Sequence, residues 1–293
     1  MFNIDFSRDL IDLHIHTNIS DGTDSPRGLL EKVRSKGIRL FSVTDHDDFK
    51  GALAVIKLLR PGDPAFVCGT EFSCKDEFGS YHILGYGYRP WSKYIRELTG
   101  FTHSLRMKKV TARLDFLKNE FGFVFPEREI GKLMKLDNPG KPHIALLSVK
   151  YGYAKTKEEA IEKYINKLFI EDVYVSPVQA IGLILKSGGI PVLAHPVYGN
   201  GDQTILGKEL FDRVLRLKNM GLRGLEGYYS GYVPKIRNEV LGIASQLGLY
   251  VTAGSDYHGD NKMIGLGDIS VGSLGDAPEG LIEFCRDVRK IVP

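Results

Sequence analysis

Long apolar runs, paired cysteines and a large charge of either sign are all missing from these 293 residues. No stretch approaches the roughly 20 apolar residues of a membrane span, so no membrane partner is expected. Met1 to Asp9 carries no basic segment followed by an apolar one, which argues against a secretory signal. The three cysteines, Cys68, Cys74 and Cys285, form neither a Cys-x-x-Cys nor an even disulfide set. That usage suits a reducing, cytoplasmic location, and the thiols are expected to be small buried apolar groups. A formal net charge of +3 is too small to imply a nucleic-acid partner. Internal repeats and low-complexity tracts are absent, and no obligate protein partner is evident. Hydrophobic content of 43% and charged content of 26% describe a globular chain, long for one domain but ordinary for an α/β barrel.

What is present is histidine at strand ends. Leu10 to Ile15 reads as a buried strand, and side chains two apart on a strand share a face. His14 and His16 therefore point the same way, just before Ser20-Asp21-Gly22 delivers a carboxylate. Imidazoles with a nearby Asp suit a divalent transition metal, although an isolated His-x-His is also an ordinary polar strand end. The pattern recurs. His46 follows the apolar run Ile38 to Val43, and Glu71 follows Ala65 to Cys68. His82 lies within the strand-like Tyr81 to Tyr86, His195 closes Ile190 to Ala194, and Asp256 and His258 follow Leu249 to Ala253. Most of these nine residues fall at or beyond the C-terminal end of an apolar strand, where α/β barrels and sheets build their sites. Each taken singly could be a hydrogen-bonded strand-end residue or a helix cap; their recurrence favours a metal cluster.

The chain alternates strands and helices with one interruption. Ser25-Pro26 opens a helix that Gly37 stops. Strands follow at Ile38 to Thr44, Ala65 to Phe72 and Tyr81 to Tyr88, with a helix at Gly51 to Leu59. The alternation resumes with helices at Pro177 to Lys186, Lys208 to Met220, Pro234 to Leu247 and Leu281 to Lys290, and strands at Ile190 to Ala194, Leu222 to Tyr228 and Leu249 to Ala253. Such alternation predicts parallel strands with crossover helices. Residues 93–170 are helical, strand-poor and net +7, leaving the rest of the chain at −4. A basic helical insertion over an acidic barrel favours an anionic substrate, the alternative being solvated helix faces. The expected organisation is a discontinuous barrel domain, 1–92 and 171–293, with a helical insertion, 93–170, covering the active site.

His14-x-His16, Ser20-Asp21-Gly22-Thr23, Thr44-Asp45-His46-Asp47, Gly69-x-Glu71, His82-x-Leu84-Gly85, Lys141-Pro142-His143, Ala194-His195-Pro196 and Ser255-Asp256-x-His258 together resemble the PHP (polymerase and histidinol phosphatase) superfamily. Within it, the chain is similar to the stand-alone phosphoesterases that act on nucleotides and nucleoside 3′,5′-bisphosphates. The resemblance runs from about Asp9 to Gly259. It implies a distorted seven-stranded (β/α) barrel holding two or three divalent ions, with manganese, iron or zinc as occupants. By that resemblance one ion takes His14, His16, Glu71 and Asp256. A second shares Glu71 and adds His82 and His195, and a third takes Asp21, His46 and His258. Three divalent ions against the three carboxylates Asp21, Glu71 and Asp256 leave +3 with neutral histidines, which a phosphate dianion plus one hydroxide balances.

The implied reaction is hydrolysis of a phosphate monoester of a nucleotide or nucleoside 3′,5′-bisphosphate by a metal-bound hydroxide. Asp21, His46 and His258 with their ion, and Lys141 and His143 on the substrate phosphate, are the expected catalytic residues. Pro142-His143 also begins a helix, which the imidazole could simply cap. Lys141 stands where relatives usually carry Arg and lacks its bidentate fork. Asp45 is expected to orient a ligand histidine rather than bind metal. Gly227 to Tyr232 is an aromatic loop where many relatives carry histidine, and Tyr228, Tyr229 and Tyr232 could stack a nucleobase or pack the rim. Tyr229 and Arg106 are the further candidate substrate contacts, with His103 read as surface. The expected partner is a small phosphorylated molecule such as a nucleotide. Alternatives are a 5′-to-3′ exonuclease on short oligonucleotides, a histidinol-phosphate-type phosphatase, and a noncatalytic metal-binding accessory.

Overall fold

A serine before a proline and a glycine eleven residues later set the first helix, α1 (Pro26–Lys36), in the computed structural model. The Ser25 hydroxyl accepts the Gly28 N–H, and Gly37 closes the other end in the left-handed region at φ 72°, where a Cβ would be strained. The structure describes residues 3–136, 138–168, 174–199 and 203–293. They divide into two compact units, residues 1–99 with 175–293, and residues 100–174. The expected boundary at 170/171 lies outside the described residues.

The first unit is a seven-stranded sheet in sequential order: β1 (Leu10–Asp12), β2 (Ile38–Val43), β3 (Ala65–Asp76), β4 (Gly79–Tyr86), β5 (Ile190–Leu193), β6 (Gly224–Tyr229) and β7 (Tyr250–Gly254). Helices α2 (Lys50–Leu58), α7 (Pro177–Lys186), α8 (Gly207–Asn219), α9 (Pro234–Gln246) and α10 (Glu279–Asp287) alternate with it. No regular ladder joins β1 to β7. Backbone bonds link the residues after β1 to the end of β7 and the residues beyond it instead: Leu13 N–H to Ala253 O at 2.9 Å, Asp256 N–H to His14 O at 2.8 Å and His16 N–H to Tyr257 O at 2.9 Å. The result is a distorted barrel whose seam brings the first metal-ligand candidates beside the last.

One strand departs from the parallel expectation. β4 runs antiparallel to both β3 and β5, whereas the remaining pairs are parallel. The cause is the connection: only Glu77 and Phe78 separate β3 from β4, and a parallel return needs a crossover of a dozen or more residues. The strand expected to end at Tyr228 runs one residue further, so Tyr229, expected in a loop, ends β6, where all six residues are buried. The strands bury near-continuous apolar runs, as parallel strands covered by helices do; Leu40, Phe41, Phe66, Val67, Leu225 and Ala253 are fully or almost fully buried.

The second unit is helical. It contains most of α3 (Lys93–Phe121), then α4 (Glu127–Leu133), α5 (Lys141–Lys150) and α6 (Lys157–Lys163). Its own apolar core is built from Val110, Leu117, Phe123, Phe125, Leu133 and Ile144 with their neighbours. The first turns of α3 belong to the other core through Ile95 and Leu98. Among the described residues no helix is long and apolar enough to cross a membrane.

Candidate metal centre

His14 and His16 flank Ile15 on an extended segment, so both imidazoles face one side while Ile15 is fully buried on the other. Their Nε2 atoms stand 3.2 Å apart. Glu71 Oε2 lies 3.2 Å from His14 Nε2 and 3.1 Å from His16 Nε2, and Asp256 Oδ1 lies 3.4 and 3.2 Å from the same atoms. Ligands ~2.0–2.1 Å from a tetrahedral ion stand about 3.3–3.4 Å from one another, so these four donors have the spacing of a metal cage.

The other candidates surround this group. His82 Nδ1 is 2.9 Å and His195 Nε2 3.3 Å from Glu71 Oε1, and the two imidazoles are 3.3 Å apart. His46 Nδ1 lies 3.3 Å from Glu71 Oε2, yet makes no hydrogen bond although it is buried. His46 Nε2 is 3.7 Å from Asp21 Oδ2, while His258 Nε2 and His16 Nδ1 each stand 3.4 Å from Asp21 Oδ1. Three donor groups therefore overlap: His14, His16, Glu71, Asp256; His46, Glu71, His82; and His16, Asp21, His46, His258. All nine expected ligands converge, and His16 and His46 each belong to two groups. The orphaned imidazole nitrogen and the clustered acceptor atoms fit cations.

Charges within the cluster agree. Burial alone would raise the Glu71 carboxyl, but the imidazoles of His82, His14 and His46 hold it well below its usual range. Burial likewise opposes charging of His16, yet Asp256 and Glu71 bring its pKa up to about 9. His14 is also raised, burial being outweighed by Glu226, Glu71 and Asp256. Burial dominates at His46 and pushes it down to about 3. The carboxylates that raise His14 and His16 are the same groups that would attract divalent cations to the cluster.

Backbone strain marks the same place. Asp47 (φ 55°), His195 (φ 28°) and Asp256 (φ 59°) are non-glycine residues in the left-handed region. Around the donors lies a supporting layer that sequence reasoning missed. Glu226, fully buried, accepts from His14 Nδ1–H and the His195 N–H, each at 2.8 Å. That bond leaves His14 Nε2 with its lone pair towards the cluster, the tautomer a metal requires. Asp12 accepts from Ser255 N–H at 3.0 Å, Ser255 Oγ–H at 2.6 Å and Gly267 N–H at 2.8 Å, and burial brings its carboxyl up to about 6. Asp45, expected to orient a ligand histidine, bonds instead to the segment between His16 and Asp21. It accepts from Thr17 N–H, the Thr17 hydroxyl and the Ser20 hydroxyl at 2.7–2.8 Å, and Ser20 Oγ lies 3.4 Å from His16 Nδ1. An acid inside the apolar strand Leu225-Glu226-Gly227 was the available signal for Glu226.

A cavity of about 220 Å³ opens on the cluster, lined by His46, Glu71, His82, His195, Tyr198, Tyr229, Asp256 and Lys262. The Tyr229 hydroxyl donates to Asp256 Oδ2 at 3.0 Å; Tyr228 and Tyr232 are buried. Lys141, His143 and Arg106 lie in the second unit. Lys141 Nζ donates to Asn166 Oδ1 at 2.6 Å. His143 Nδ1 accepts from the Gly140 N–H at 3.3 Å, capping α5, and burial followed by the Arg106 charge lowers its pKa. His103 is exposed. The three cysteines are buried, and burial raises their thiols, Cys68 and Cys285 to about 12.

A barrel rim that gathers imidazoles and carboxylates this densely defines an α/β barrel with a metal-binding site. Residues 12–176 match the PHP domain family, and the chain belongs to that family. It is similar to the phosphoribosyl 1,2-cyclic phosphate 1,2-diphosphodiesterase of Eggerthella lenta, 28% identical with 85% of this chain and 94% of that protein covered. It is equally similar to the 3′,5′-nucleoside bisphosphate phosphatase of Chromobacterium violaceum, 28% identical over 95% of this chain and 94% of that one. A 5′-3′ exoribonuclease of Haemophilus influenzae is 25% identical, covering 84% and 89%. Among solved structures, a protein of Bifidobacterium adolescentis assigned as a metal-dependent phosphoesterase superposes with a TM-score of 0.75 at 29% identity, covering 95% of this chain and 96% of that chain. The protein is a metal-dependent phosphoesterase of the PHP family.

Proposed function

We propose that the protein hydrolyses a phosphate monoester of a nucleotide or nucleoside 3′,5′-bisphosphate, using two or three divalent ions held by His14, His16, Asp21, His46, Glu71, His82, His195, Asp256 and His258. The observation that carries this reading is the cage of His14, His16, Glu71 and Asp256 donors at 3.1–3.4 Å, with Asp21, His46 and His258 close beside it. When bound there, divalent cations would supply Lewis acidity and lower the pKa of a water, the chemistry a phosphoester hydrolysis needs. Glu71, placed between two donor groups, holds them at a fixed separation. Asp21, half exposed, is the carboxylate nearest solvent and completes the third group with His46 and His258. Lys141, His143 and Arg106, the expected substrate contacts, belong to the second unit, and their substitution tests that expectation separately. The bisphosphate phosphatase relative supports the monoester substrate class, and the three buried free thiols suit a reducing cytoplasm.

The exoribonuclease relatives favour one competing reading, cleavage of short oligonucleotides. Turnover of AMP, a nucleoside 3′,5′-bisphosphate, histidinol phosphate and a short RNA, with manganese and with a chelator, separates the readings. A monoesterase releases inorganic phosphate only with metal and with weak salt dependence, whereas multi-phosphate contacts on RNA weaken steeply with salt. Asp21→Ala and His258→Ala should abolish turnover while leaving circular dichroism unchanged. Wild-type activity in either, or equal phosphate release with chelator, refutes the assignment.

A further inference from the structure

The cavity over the metal-ligand cluster is walled by imidazoles, carboxylates and tyrosines, and Lys262 is the one Lys or Arg among its described lining residues. Lys262 Nζ donates to Asp256 Oδ2 at 2.6 Å, on the oxygen opposite the one that faces His14 and His16. An ammonium has three donors, so two remain for a ligand, and the side chain is 38% exposed. Its loop is held in place. The Asn261 side chain donates to Asp21 O at 2.7 Å, the Asp260 N–H to Thr23 Oγ1 at 3.0 Å, and the Thr23 N–H to His258 O at 3.1 Å. Gly259 permits this clamp. Its φ is 63°, and a Cβ there would overlap Thr23 Oγ1. The segment carrying Lys262 is thus fastened to the one carrying Asp21, and the cation is presented at the cavity by a fixed turn rather than a free tail.

Within the reading above, we propose that Lys262 contacts a non-bridging oxygen of the substrate's phosphoryl group and favours a dianionic terminal monoester over a monoanionic diester. At about 220 Å³ the cavity is below the ~300–1,000 Å³ usual for whole small-molecule ligands, which suits a phosphoryl group with the rest of the substrate outside. A lysine serves as a point charge there. It needs no fixed donor plane, and its attraction grows with the charge on the phosphoryl oxygens. A bond from Lys262 to Asp256 alone would make it a positioning residue for a metal ligand, and that alternative has a different signature.

The test uses manganese-loaded protein, wild type, Lys262→Gln and Lys262→Arg. Inorganic phosphate binding is read by calorimetry, bound manganese by elemental analysis, and turnover on a nitrophenyl monoester and its diester. Lys262→Gln should weaken phosphate binding roughly 10- to 100-fold at unchanged manganese content, the cost of losing a charged hydrogen bond. The monoester-to-diester ratio of kcat/KM should fall with it, and Lys262→Arg should restore both. Unchanged phosphate affinity in Lys262→Gln, or a loss fully accounted for by lost manganese, overturns the Lys262 assignment while leaving the phosphoesterase reading intact. Wild-type protein that binds manganese but neither binds phosphate nor cleaves any phosphoester overturns both.

Discussion

Replacing Glu226 by glutamine removes one oxygen acceptor from the interior of the barrel and changes almost nothing in volume. The carboxylate is fully buried and accepts two hydrogen bonds at 2.8 Å, from His14 Nδ1–H and the His195 backbone N–H. A glutamine keeps one acceptor and turns an amide N–H₂ toward the other donor, leaving at least one buried donor unpaired. Such a group costs about 1–3 kcal/mol. At roughly 2–4 °C per kcal/mol for a chain approaching this length, the metal-free protein should melt roughly 2–12 °C lower. The larger effect should be on metal. His14 loses the partner that fixes its tautomer and raises its basicity, and such losses weaken metal binding about 10- to 100-fold. Manganese titration in a chelator buffer, read by elemental analysis beside circular dichroism, measures this directly. A folded Glu226→Gln protein that melts lower but binds manganese as wild type would refute the reasoning, because Glu226 would then be a packing residue only.

Gly51→Ala tests the support of the Thr17–Ser20 segment. Alanine is ordinarily about 1 kcal/mol better than glycine inside a helix, but a Cβ at Gly51 would overlap Asp45 Oδ2 and push apart the bonds to Thr17 and Ser20. Overpacking of about 1–3 kcal/mol should win, so a variant that melts higher than wild type disproves the contact. At the outer surface, the Arg34 guanidinium grips Asp63 through two bonds of 2.7 Å and lowers its pKa below 3.8. A depressed carboxyl contributes stability above its unfolded pKa and loses it as pH falls through the folded one. The urea-unfolding difference between wild type and Asp63→Asn, no more than about 1 kcal/mol and smaller in high salt, should therefore be present at neutral pH and vanish below 3.8. A difference that grows on acidification has the wrong sign for this pair.

Local chemistry was the legible part of the sequence. Ser25, Pro26 and Gly37 bound α1 because capping and left-handed closure depend on a few neighbouring residues. The same holds for Ser176-Pro177 at α7. The convergence of the candidate ligands was legible because strand ends in a barrel share a rim, so a list of residues after apolar runs is already a spatial statement. Glu226 and Asp12 were not, since each acts on residues far along the chain, His14 and His195 for one, Ser255 and Gly267 for the other. Nothing periodic marks Lys262, which sits in a polar stretch beyond the last strand. Its role depends on a turn that only the contacts with Asp21 and Thr23 fix.

The reversed strand explains why His82 serves the rim although, like Glu71 in β3, it lies within a strand. His82 lies in the middle of β4, where a parallel strand would place a core residue. Because β4 returns from β3 by a hairpin, Ser73 stands directly opposite His82 and Glu71 opposite Leu84. Directly opposed residues share a face, as do residues two apart on one strand, so His82 and Glu71 are diagonal neighbours on the same side of the sheet. Such neighbours are within reach of long side chains, and here the imidazole meets the carboxylate at 2.9 Å. Phe72 and Ile83 point to the opposite face and are fully buried. Had β4 run parallel, it would have needed a crossover helix in place of Glu77-Phe78. Its apolar C-terminal end, Ile83 to Tyr86, would then have stood at the rim, with no imidazole to offer Glu71. The short turn thus does more than connect two strands: it turns a mid-strand histidine into a rim residue and gives Glu71 donors on both sides.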